Sequence, residues 1–81
     1  MVSAANVREL LDSTVDDPHM VLEEGQILVR DGASVADKPT GLVVTTAQEL
    51  RKTHNLGHDV TDEKLTLIAA ELDTEVSELG A

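Results

Sequence analysis

Apolar residues recur along this 81-residue chain at two spacings, and the change from one to the other separates helical from extended stretches. Ala4, Val7, Leu10 and Leu11 share one face at helical spacing behind Ser3, a good N-cap, which predicts a short helix over residues 4–12. Asp16-Asp17-Pro18 ends anything helical, because the residue before a proline is pushed out of the α region. Met20-Val21-Leu22 and Gln26-Ile27-Leu28-Val29 are β-rich runs separated by Glu23-Glu24-Gly25. That pattern reads as a hairpin, or as one strand with a glycine bulge. Asp31-Gly32 signals a turn, and residues 34–41 read as a loop with a second turn at Pro39-Thr40-Gly41. Leu42-Val43-Val44-Thr45 follows as a third strand.

The C-terminal half returns to helical spacing. Thr46, with Glu49 three residues on, forms a capping box that opens a helix through Leu50 and Lys52, and Gly57 is its expected left-handed cap. Thr61 can cap a last helix whose first turn carries Asp62 and Glu63, the correct sign for the helix dipole. Leu65, Ile68, Ala69, Leu72, Val76 and Leu79 share its apolar face, with Asp73-Thr74 a point where it can break or be capped again. The expected fold is α+β: a small antiparallel sheet of two to three strands, packed with an N-terminal helix and two C-terminal helices. The chain forms one small domain over residues 1–81.

Composition then narrows how such a domain holds together. There is no cysteine and no Phe, Tyr or Trp, so disulfides, thiolate metal sites and the largest core side chains are all excluded. A chain this short buries only about 60% of its unfolded surface. Its thin aliphatic core therefore favours self-association or docking onto a partner. Sixteen acidic against six basic residues give a net charge of −10, spread evenly over both halves. That field repels nucleic acid and anionic lipid, so neither is expected as a direct partner, and the composition also suits a halophile. The N-terminus has neither the basic stretch nor the apolar run of a signal peptide, and no apolar run is long enough to span a membrane. The expected location is the cytoplasm or a virion.

Candidate chemistry is sparse. His54 and His58 stand four apart with Asp59 nearby, the spacing of a zinc site on one continuous helix, but Gly57 lies between them. No metal site is assigned, and these three are the residues that could contribute to one. Asp12, Thr14, Asp16 and Glu23 occupy positions 1, 3, 5 and 12 of a calcium-loop spacing, but Asp17 stands where the sharp turn needs glycine. Gly32-Ala33-Ser34-Val35-Ala36 echoes a nucleophile elbow on a stretch expected to be loop, where the strand-to-helix turn is missing. No phosphate-binding glycine loop occurs. The expectation is a protein that is not an enzyme and uses no cofactor.

Four stretches resemble known families. Glu71-Leu72-Asp73-Thr74-Glu75-Val76 looks like the end of the second helix of acyl carrier proteins, but the start of that helix has no serine to carry the prosthetic group. Ala69 through Leu79 looks like the first helix and turn of a helix-turn-helix, and Val43 through Lys52 resembles the strand-to-helix step of swapped-hairpin antitoxins. These two imply a nucleic-acid-associated regulator, although no Lys or Arg follows Lys64 to anchor phosphate. Residues 24–44, with Gly25 opening one strand and Gly41 opening an apolar strand after a loop, are similar to small tailed-virus head decoration proteins. That last resemblance implies a non-enzymatic structural or interaction subunit, such as a small virion or assembly component. Its partner would be another protein or a second copy in a homo-oligomer. Leu28 and Val43 from the strands, with Leu72, Val76 and Leu79 from the last helix, are the expected contact residues.

Overall fold

The computed structural model describes residues 2–37, 41–57 and 59–78. Helix α1 (Ala4–Asp12) begins at Ser3, whose hydroxyl accepts the Asn6 backbone N–H while the Asn6 side chain accepts the Ser3 backbone N–H. Two orphan donors of the first turn are thereby satisfied. Strands β1 (Pro18–Glu23) and β2 (Gln26–Asp31) then pair antiparallel in full register. Glu24 and Gly25 both take positive φ, 48° and 78°, which is the two-residue hairpin turn whose twist suits the flanking strands. The glycine therefore closes a hairpin and does not bulge a single long strand.

The stretch expected to be loop after Asp31 is partly helical. A short helix α2 (Gly32–Asp37) starts directly at the end of β2, with the Ser34 backbone N–H donating to the Asp31 carboxylate across 3.2 Å. None of its residues is buried, so it lacks the apolar stripe that would announce it. Of the expected turn at 39–41, positions 39 and 40 lie outside the described residues.

Strand β3 (Leu42–Thr46) pairs antiparallel with β1 on the side away from β2, giving the sheet order β2-β1-β3. Helix α3 (Ala47–His54) follows without a gap, its Glu49 N–H held by the Thr46 hydroxyl at 3.0 Å. Its left-handed cap is Asn55, at φ 52° and ψ 49°, in place of the expected Gly57. Asparagine tolerates that region because its short polar side chain bonds locally. The Leu56 N–H closes the end onto the Arg51 carbonyl at 3.0 Å.

Helix α4 (Asp62–Glu78) is capped by Thr61, whose hydroxyl accepts the Lys64 N–H at 3.1 Å. It runs unbroken through Asp73-Thr74. The Thr74 hydroxyl donates to the Ala70 carbonyl at 3.0 Å, and the Asp73 carboxylate receives the Val2 backbone N–H at 3.1 Å. Both polar residues thus find partners without interrupting the helix.

One core joins these elements. Val7, Leu10 and Leu11 of α1 meet Leu65, Ile68, Ala69, Leu72 and Val76 of α4, with Met20 of β1 and Leu50 of α3 completing the cluster. Among the described residues, Val7, Leu10, Met20, Leu65, Ile68 and Val76 are the largest fully buried side chains, each contributing about 1.5–3 kcal/mol on transfer from water. Polar ties fix the helices over the sheet: Arg51 donates to the Leu11 carbonyl at 2.9 Å, and Arg8 pairs with Asp62 at 2.8 Å on the surface. No helix among the described residues is long and apolar enough to cross a membrane.

Candidate interaction surface

Residues directly opposite in a ladder share a face of the sheet. Met20 with Val29, and Leu22 with Ile27, form the face that packs on the core. Val21 with Leu28 belongs to the other face, and Val43 joins them from β3. A bulge decides this placement. Met20 pairs with Thr45 and Val21 with Val43, so Val44 is the extra residue. Val43 and Thr45 would otherwise share a face. The bulge sends Thr45 inward, where it is buried, and leaves Val43 outward, 41% exposed.

Leu42, 37% exposed, pairs with Leu22 and so lies on the opposite face from Val43, at the open start of the strand. Among the described residues, β3 pairs only with β1, so its second side is a free sheet edge. Its sequence, Leu-Val-Val-Thr-Thr, carries no charge and no proline, the devices that normally blunt such an edge. The other edge, β2, does carry charge: Arg30 reaches over the Val21–Leu28 pair to bond Glu23 at 2.7 Å.

Where β3 meets α3 and α4 there is a cavity of about 110 Å³, bordered by Val44 and Thr45 and rimmed by Glu49, His54, Glu71 and Glu75. His54 Nε2 lies 3.2 Å from Glu71 Oε2, and among the described residues no Lys or Arg lines the opening. Lys52, one turn along α3 from Glu49, borders a neighbouring groove with Thr46 and Gln48. A larger cavity of about 360 Å³ lies at the opposite side of α3, between Arg8, Asp12, Arg51 and Asp59. Its two guanidinium groups are engaged, Arg8 by the Asp62 carboxylate and Arg51 by the Leu11 carbonyl.

The expected contact residues separate into three groups. Leu28 and Val43 are brought together on either side of Val21, Val43 exposed and Leu28 half-buried. Leu72 and Val76 are not on the surface: at 5% and 2% exposure they belong to the core, because α4 spends its apolar face on α1. Leu79 lies outside the described residues. The helix-turn-helix expectation places a turn within residues 69–79, whereas α4 remains helical to Glu78.

Of the metal candidates, His54 faces Glu71, Asp59 is exposed, and His58 lies outside the described residues. No group of three or more His, Asp or Glu side chains converges to hold a metal ion among the described residues. Asp12 ends α1 while Glu23 pairs with Arg30 in the hairpin, so the calcium-loop spacing does not correspond to one loop. Ser34 lies in α2, its N–H turned to Asp31. Sequence reasoning passed over Leu42, and over the approach of Glu71 and Glu75 to Glu49. Leu42 was visible as the first residue of an uncharged strand; the glutamates lie on different helices and carry no local signal. No protein-family model, curated protein or solved structure matches this chain.

Proposed function

We propose that this domain is a protein–protein interaction subunit that docks through the β3 edge. The observation that supports this most is the exposure of Leu42 and Val43 on an edge strand without charge or proline. Unpaired edges of that kind are templates for strand addition. The fold has already committed its other large apolar face, on α4, to its own core. The resemblance of residues 24–44 to head decoration proteins suggests a virion or assembly subunit as the setting, since such subunits act by docking.

A photo-reactive side chain at Val43 tests this in extract from the native source. A discrete cross-linked protein is expected from Val43, and none from the same group at Thr66, exposed on α4. Equal yields at both positions, or no product at Val43, would overturn the reading.

A further inference from the structure

The occupant of the β3 edge follows from charge. We propose that it is an extended segment of a different protein, alternating apolar residues with Lys or Arg, which adds to β3 as a fourth strand. The inference rests on the reading of β3 as the contact edge and specifies what that edge selects.

An added strand lies about 4.8 Å from β3, and its side chains alternate between the two faces of the sheet. Those on the outer face meet Val43, next to Val21 and Leu28. Those on the helix face come to the cavity bordered by Val44 and Thr45, whose rim holds Glu49, Glu71 and Glu75. A long cationic side chain there satisfies carboxylates that have only His54 among the lining residues as a basic neighbour. The outer-face positions call for apolar residues and the helix-face positions for cations.

A second copy is the poorer occupant. A two-fold pairing of β3 with itself would set each glutamate rim beside its symmetry mate, since the same patch is used on both sides. Each copy also carries a net charge of −10. Like charges brought together this way oppose association, whereas a basic segment is drawn in and its binding weakens with salt.

The test uses the ¹⁵N-labelled full chain and three synthetic peptides of about eight residues, a common strand length. One alternates Val with Lys, one alternates Val with Glu, and one is the Val/Lys peptide N-methylated at alternate backbone amides. The Val/Lys peptide is expected to shift the amides of residues 42–46 and to weaken about fivefold in the Glu71→Gln/Glu75→Gln variant. It should also weaken between about 50 and 500 mM salt. The other two peptides should fail to bind. If the Val/Glu peptide binds β3 as well as Val/Lys does, the edge reading stands and the basic-partner inference falls. If the N-methylated peptide binds equally well, or the shifts lie away from β3, the edge reading falls too. Concentration-dependent dimerisation of the chain that is abolished by Val43→Glu would replace the basic segment with a second copy.

Discussion

Val21 and Val43 lie opposite each other across the β1–β3 ladder, yet Val21 is 3% exposed and Val43 is 41% exposed. Val21 belongs to the central strand, flanked by Leu28 on one side and Val43 on the other. Val43 has a strand on one side only. A valine-to-threonine exchange keeps the β-branched shape and changes only polarity, so it measures burial at each position. Val21→Thr is expected to cost about 2 kcal/mol, the penalty of an unpartnered buried hydroxyl. Val43→Thr should stay within about 0.5 kcal/mol of the parent. Urea unfolding of the two variants checks this; equal losses would contradict the burial difference.

Neighbouring residues of α4 make the same contrast along a helix. Ile68 is fully buried in the core, whereas Leu67, one position earlier, is half exposed. Ile68→Ala should cost about 3–4 kcal/mol. For a domain of this size that lowers Tm by more than about 12 °C. Leu67→Ala should cost less than about 1 kcal/mol. Calorimetry of both variants decides it.

Three glycines differ in what a methyl group would meet. At Gly41 an added Cβ would lie 2.6 Å from the Leu22 carbonyl oxygen and 2.8 Å from Val21 Cγ1, so Gly41→Ala should cost about 1–3 kcal/mol. At Gly25 there is space, but φ is +78°, and alanine there should cost about 1–2 kcal/mol. Gly57 has neither obstacle, and Gly57→Ala should gain about 0.4–1 kcal/mol by restricting the unfolded chain. Denaturation midpoints should rank Gly57→Ala above the parent and the other two below it.

The Asp31 carboxyl is held below its ordinary value by the Ser34 hydroxyl, and next by the Ser34 backbone N–H. A carboxyl with a lowered folded pKa adds stability above its unfolded pKa, near pH 4, and loses it as pH falls through the folded value. The start of α2 should therefore be firm at neutral pH and loosen below about pH 4. The protection factor of the Ser34 amide, its exchange rate relative to the unstructured chain at the same pH, should fall across that window, and Asp31→Ala should remove that fall.

What the sequence made legible follows the strength of local signals. Ser3, Thr46 and Thr61 each stand one residue before an observed helix, as their capping chemistry requires. The spacing of Leu65, Ile68, Ala69, Leu72 and Val76 gave the buried face of α4 correctly, but spacing alone does not say whether that face meets the chain's own core or a partner. The spacing is equally consistent with Leu72 and Val76 facing outward. Helix α2 was missed because it buries nothing. The bulge at Val44 was also hidden: it depends on register with β1, a pairing between strands some twenty residues apart that no local pattern in Leu-Val-Val-Thr-Thr displays.

Backbone hydrogen exchange across Leu42–Thr46, in the free protein and with the basic peptide present, tests the open-edge account most directly. Amides on the free side of β3 should exchange rapidly in the free chain, because among the described residues no second strand covers them. They should become protected when the Val/Lys peptide is added. Full protection of every β3 amide in the free protein, or no gain in protection with the peptide, would contradict the account.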